Sequence, residues 1–302
     1  MDSHKVLEQK LLQSYSNVTQ NNEIDWAVRK RHSDELVKPT IPFIGKYYDK
    51  QKIKILVYAS AENLAGYYKG NKTEWIEDEL DNDVIATNRH RYFLNKKEYS
   101  KDSFYPNVHL GPINNGSLSL AAYYLATKIN TDFNYLPIEF YETIAFANYG
   151  KFSIETELQK NIRLGKEQVG EKANIDPIEY RATNRKYIEL DIGILKPDII
   201  IMPDSIYNDE KKFIDMCTDN IIVLGIHMLF PWVINPHIAK KYPKYQVEQL
   251  EDSVGNWYNH LSQDKMTGQN KVNYLSVFSY LDDCWQKAKE KYAVLFEKLN
   301  LK

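Results

Sequence analysis

Four places in this chain set reactive side chains where an apolar run gives way to a turn. The first, "YASAEN" at 58–63, puts the small Ala59, Ser60 and Ala61 before a carboxylate and an amide, Glu62 and Asn63. Small residues let a ligand approach the backbone, Glu62 can act as a base and Asn63 can read an amide edge. Ser60 or Asn63 would serve equally well as the N-cap of a following helix. The second, "IAFANYGKF", carries Asn148, whose side chain offers a donor and an acceptor side by side, as the edge of a pyrimidine or an amide requires, or as a structural bond in the core requires. The third, "PDIIIMPD", closes on Asp204. The fourth, "LGIHMLFPWVINPH", places His227 ahead of Met228, Leu229, Phe230, Pro231 and Trp232. Large apolar residues beside a proline on a loop suit either a wedge that enters between bases or a protein interface.

The segments that would position these groups read as strands. "IKILVYAS" (53–60), "TIAFANY" (143–149), "PDIIIMPD" (197–204) and "NIIVLGIH" (220–227) are strand-length and rich in β-branched residues. None alternates cleanly, as expected for strands buried on both faces of a parallel sheet. Spacers such as "GSLSLAAYYLATKI" (116–129) and "DEKKFIDMC" (209–217) fit crossover helices. The expectation is a single α/β domain over 1–302: a three-layer α/β/α core at about 40–245, built on a central four-stranded parallel sheet, with helical extensions at 1–38 and 246–302. In the first extension Val6, Leu7, Leu11 and Leu12, then Ile24, Trp26, Ala27 and Val28, carry helical spacing; in the second, Val272–Leu299 reads as one long amphipathic helix. Ligands of open parallel sheets bind beyond the carboxyl ends of the strands, where Ser60, Glu62, Asn63, Asn148, Asp204 and His227 would gather.

Composition narrows the classes. At 302 residues and 43% hydrophobic the chain can bury a sizeable core. The 39 basic residues nearly balance the 41 acidic ones, so a polyanion would be held by local patches. "NRHRYFLNKKEYSK" (88–101), with Arg89 and Arg91, and "HIAKKYPKYQ" (237–246), with Lys240, Lys241 and Lys244, are two such patches, and either could equally be solvated surface. Two cysteines without a CxxC spacing argue against a zinc ribbon or a disulfide framework and suit a reducing cytoplasm. No apolar run of membrane-spanning length and no secretory leader pattern is present, so neither membrane insertion nor export is expected. Neither GxxxxGK[ST] nor GxGxxG occurs, which disfavours the common nucleotide sites, and G-x-S-x-G is missing too.

The strand order, the small-residue turn after the first strand, Asn148 on the second and the histidine with its apolar loop after the fourth resemble the uracil-DNA glycosylase superfamily, over roughly 40–245. In that family the first motif runs Gly, a polar residue, an acid or Asn that positions water, then Pro. Here those places fall on Ala59, Ser60, Ala61 and Glu62, so the acid stands one residue late. The second motif, His-Pro-Ser before a leucine wedge, falls on His227, Met228, Leu229 and the loop behind: the histidine is kept and the Pro-Ser is not.

The resemblance implies a DNA glycosylase, a hydrolase that binds DNA in its basic patches, flips out a base and excises it, with no metal or organic cofactor. It implies stacking of the base on Tyr67, Tyr68 or Phe152 and edge reading by Asn148. Glu62, beside Asn63, would steady the sugar cation and orient water, His227 would hold the departing base, and Leu229, Phe230 or Trp232 would act as wedge. The drifted motifs point to a modified base, in repair or in phage defence. The alternative is a catalytically inactive relative that binds nucleic acid or a protein partner through the 228–232 loop.

Overall fold

The computed structural model describes residues 2–21, 30–31, 35–36, 39–61, 116–129, 137–151, 177–229, 234–250, 252, 254–255, 258 and 269–301. In chain order these form helix α1 (Ser3–Asn21), strands β1 (Lys30–Arg31), β2 (Glu35–Leu36), β3 (Phe43–Ile44) and β4 (Ile55–Ala61), helices α2 (Gly116–Ile129) and α3 (Pro137–Tyr141), strand β5 (Ala145–Gly150) and helix α4 (Pro177–Leu195). Then follow β6 (Ile199–Pro203), α5 (Asp204–Cys217), β7 (Ile222–Ile226), α6 (Gln269–Lys291) and α7 (Ala293–Lys298).

The four expected strands are present as β4, β5, β6 and β7, in a mixed α/β fold. Among the described residues the sheet has five strands, ordered β3-β5-β4-β6-β7, where four were expected. β6 pairs in parallel with both β4 and β7. The fifth strand, β3, is only two residues long, too short to leave an apolar run. Backbone bonds from Thr40 to Lys151, Gly45 to Ile144 and Tyr47 to Glu142 show that this segment runs antiparallel to β5. Gly45 is required there, because a Cβ would lie 2.4 Å from the carbonyl carbon of Glu142.

Two other expectations are corrected. Residues 30–31 and 35–36, read as part of a helical extension, pair as antiparallel strands with Lys30 opposite Leu36. The long C-terminal helix ends at Lys291, and Tyr292, at φ −114° and ψ 34°, separates it from α7.

Packing divides the chain into two compact units, Met1–Phe43 with Ser60–Tyr92 and Ala147–Leu195, and Ile44–Ala59 with Phe93–Phe146 and Lys196–Lys302. In the first, α1 packs against α4. Glu8, Leu11, Tyr15 and Thr19 recur every three or four residues and make the buried face of α1. Asn184, Tyr187, Ile188, Asp191, Ile192 and Leu195 do the same on α4.

In the second unit the buried runs Ile55–Ala59, Ile199–Met202 and Ile222–Leu224 form β4, β6 and β7 of the sheet. Helix α5 packs on β6 and β7, α6 on β7 and on α2, and α2 on β6. Leu275, Phe278, Leu281, Trp285 and Ala288 form the buried stripe of α6. Among the described residues no helix is long and apolar enough to cross a membrane.

Candidate functional site

β6 and β7 are parallel neighbours in register, with Pro203 opposite Ile226. The next residue on each strand is therefore Asp204 on one side and His227 on the other, at the carboxyl edge. Asp204 opens α5 without an intervening loop. A carboxylate in the first turn is also favoured by the unsatisfied N–H groups there. Gly225 lets that turn come close: a Cβ would meet Tyr207 Cδ1 at 3.1 Å and Asp204 Cα at 3.3 Å. The two side chains meet at 2.5 Å, His227 Nδ1 to Asp204 Oδ2.

The electrostatics follow from this contact. Partial burial pushes the Asp204 carboxyl upward, but the His227 hydrogen bond and charge and the backbone N–H of Ser205 outweigh it and hold the group below the usual aspartate range. An ionised Asp204 can only accept, so Nδ1 carries the hydrogen in their bond. Nε2 is then the nitrogen outside that bond. It accepts a proton when the ring is neutral and donates one when the ring is charged.

Around this pair stand aromatic residues that no sequence motif marked. Tyr280 of α6 accepts the backbone N–H of His227 at 2.8 Å, and its ring stacks on the imidazole with centroids 5.5 Å apart and planes at 18°. Tyr242 meets Tyr280 edge-on at 5.4 Å and donates to Asp283 Oδ2 at 2.7 Å. His237, in the short π-helical turn Ile234–Ile238, lies 6.4 Å from His227, ring to ring. Burial raises the Tyr280 hydroxyl far above its ordinary value, so it stays protonated. Burial also pushes the neighbouring Cys284 thiol up to about 11, leaving it unreactive at neutral pH.

The first unit contains a second polar cluster, wholly enclosed. Lys151, the residue after β5, places Nζ 2.5 Å from Asp191 Oδ2, and Tyr15 donates to Asp191 Oδ1 at 2.6 Å. The Lys151 backbone N–H donates to Asn184 Oδ1 at 2.8 Å. Thr19 bonds the Tyr187 hydroxyl at 2.9 Å, and the Tyr15 and Tyr187 rings lie 4.8 Å apart. Burial lowers the Lys151 amino group, although Asp191 opposes the shift.

Of the residues chosen from sequence, the structure joins Asp204 and His227. Asp204, expected among the substrate-contacting groups, places Oδ2 against the imidazole. Asn148 is buried on β5 in the first unit, and its Oδ1 has no hydrogen-bond partner among the described residues. Leu229, expected as an exposed wedge, is fully buried, and its carbonyl accepts the Tyr274 hydroxyl. Lys240, Lys241 and Lys244 are exposed. Glu62, Asn63, Tyr67, Tyr68, Arg89, Arg91, Phe152, Phe230 and Trp232 lie outside the described residues, and of Ser60 only the strand position is described.

Two groups escaped sequence reasoning. Tyr280 lies in an amphipathic stripe where one more aromatic looks like core. Lys151 and Asp191 are 40 positions apart on different elements. The signal that could have found the second pair is helical: Asn184 and Asp191 are seven apart on a face otherwise built of Tyr187, Ile188, Ile192 and Leu195. Among the described residues no three His, Cys, Asp or Glu side chains are grouped to hold a metal. No family model, curated protein or solved structure matches the chain.

Proposed function

We propose that the protein is a DNA N-glycosylase that extrudes a modified base and hydrolyses its bond to the sugar, with His227 as the leaving-group partner and Asp204 as the carboxylate that supports it. The supporting observation is the Asp204–His227 contact at the carboxyl edge of adjacent parallel strands, with the imidazole side chain 42% exposed and open to a substrate. A three-layer α/β/α arrangement around the sheet and a place in the cytoplasm belong to the same proposal, as does a role in repair or phage defence.

In this reaction the C1′–N bond breaks and its electron pair stays with the base. The sugar becomes an oxocarbenium-like cation, to which water adds oxygen at C1′ and from which it loses a proton. The charged imidazole donates from Nε2 to the departing base as negative charge grows there, and the Asp204 carboxylate stabilises that imidazolium. Glu62 is the group assigned to the cation and the water. Asn148 is the group that the family resemblance assigns to the base edge, because its amide offers both an acceptor and a donor. Exposed Lys240, Lys241 and Lys244, shortly after His227 in the chain, suit phosphate contacts.

The test is direct. Duplexes carrying uracil or modified cytosines are incubated with the full chain, treated with alkali and examined for strand scission, alongside His227→Ala and Glu62→Gln. Scission that either substitution abolishes is the expected result. Binding without scission, indifferent to both substitutions, refutes the assignment and leaves a nucleic-acid-binding protein.

A further inference from the structure

The Nδ1 bond to Asp204 is one hold on the His227 ring, and it meets the ring at a single atom. An imidazole at a strand end can rotate about its Cβ–Cγ bond and exchange Nδ1 for the Cδ2 edge, because terminal torsions of this kind have broad minima. Two contacts from α6 oppose that rotation. The Tyr280 hydroxyl accepts the His227 backbone N–H at 2.8 Å and pins the residue at its root. The Tyr280 ring lies nearly parallel to the imidazole, at 18° and 5.5 Å, and covers one of its faces. Offset stacking of this kind restricts an aromatic neighbour, and a tyrosine face also favours a charged ring above it.

Tyr280 is itself held. Tyr242 abuts its ring edge-on at 5.4 Å, and Tyr242 is tied by its own hydroxyl to Asp283, one turn further along α6. Asp283 is fixed in turn by Lys287 at 2.7 Å. The His227 orientation is thus anchored to a helix whose inner stripe, from Leu275 to Trp285, is buried.

We infer that Tyr280 is a positioning residue for His227: its hydroxyl and its ring together hold the imidazole with Nδ1 toward Asp204 and present Nε2 as the nitrogen that faces a substrate. Its bearing on rate rests on the glycosylase proposal, whereas its bearing on the ring does not.

The experiment compares the full chain with Tyr280→Phe, Tyr280→Leu and Asp204→Asn. Tyr280→Phe keeps the ring and its apolar contacts and removes only the hydroxyl, with its bonds to the His227 N–H and the Cys284 thiol. Nitrogen-15 spectra of the imidazole at fixed pH report which ring nitrogen carries hydrogen, and the His227 amide proton reports the backbone bond. The amide proton should move upfield in both Tyr280 variants. The wild-type preference for hydrogen on Nδ1 should persist in Tyr280→Phe and be lost in Tyr280→Leu, as in Asp204→Asn.

On any duplex that the wild type cuts, Tyr280→Phe should lower kcat roughly 10-fold and Tyr280→Leu roughly 100-fold with little change in KM, by analogy with the outer partners that orient metal-ligating histidines. Unchanged nitrogen and amide signals in both Tyr280 variants would overturn the inference. So would a loss of thermal stability with the imidazole signals intact, which is what a merely structural tyrosine gives. If the signals change as expected but the wild type cuts no duplex, Tyr280 positions His227 and the glycosylase proposal alone falls.

Discussion

Lys151 and Asp191 meet in the first unit with both side chains at 0% exposure, whereas Asp204 and His227 meet in the second with 26% and 42% of theirs open to solvent. The nitrogen–oxygen distance is 2.5 Å in both. Identical geometry therefore serves opposite ends. In the enclosed pair, desolvation is the largest influence on the lysine and lowers it, so the pair fixes α4 to the end of β5 at a cost in free energy. The open pair costs little to desolvate and leaves the imidazole partly exposed to solvent.

Breaking the enclosed pair should have the largest effect. Lys151→Met leaves the Asp191 charge inside without its cation and should remove about 3–5 kcal/mol of stability, read from urea unfolding. Adding Asp191→Leu to that variant should restore most of the loss, because an apolar pair of similar volume tolerates the site. If the double variant is no more stable than Lys151→Met, the charge is not what makes the single change costly.

Next in size is Tyr15→Phe, which removes a hydrogen bond to the same carboxylate and should cost about 1.5–3 kcal/mol. The equivalent insult to the open pair should be mild. Asp204→Asn should change stability at neutral pH by less than about 1 kcal/mol, since a pair partly in water contributes little. An Asp204→Asn variant as unstable as Tyr15→Phe would erase the contrast between the units.

The smallest effects are in pH dependence, and the two pairs differ there as well. The Asp204 carboxyl is lowered in the folded chain, so its contribution is complete above its unfolded value, about 3.9, and is lost as pH falls through the folded one. Asp204→Asn should flatten the acid limb of the stability curve below about pH 4. The Lys151 amino group is also lowered, so the unfolded chain holds more protons in the window beneath its unfolded value, about 10.4, and stability rises with pH there. Lys151→Met should abolish that rise. Urea titrations of each variant against wild type at several pH values measure both slopes.

The same contrast explains what was legible in the sequence. β4, β5, β6 and β7 show as apolar runs because strands buried on both faces need unbroken hydrophobicity. Asp204 and His227 show because each is the first polar residue after such a run, and the register of β6 with β7 does the rest. Helix α4 was hidden by its own function: two of its buried positions are Asn184 and Asp191, which break the apolar stripe by which a helix is recognised. β3 was hidden by its length, and its place is set by hydrogen bonds that only the folded chain contains. Tyr280 was hidden by resemblance to core, since nothing in a helical stripe tells which aromatic leans on a histidine. Leu229 misled for the converse reason, an apolar residue shortly before a proline that reads as exposed loop but is buried.

The most direct test of the central claim is the single-turnover rate of Asp204→Asn on a duplex that the wild type cuts, measured together with its melting temperature. A carboxylate that supports the imidazolium predicts a fall on the order of 10²- to 10⁴-fold, the size of a general acid's contribution, with the melting temperature nearly unchanged. A rate equal to wild type, or a loss of activity that merely follows a loss of folding, would contradict it.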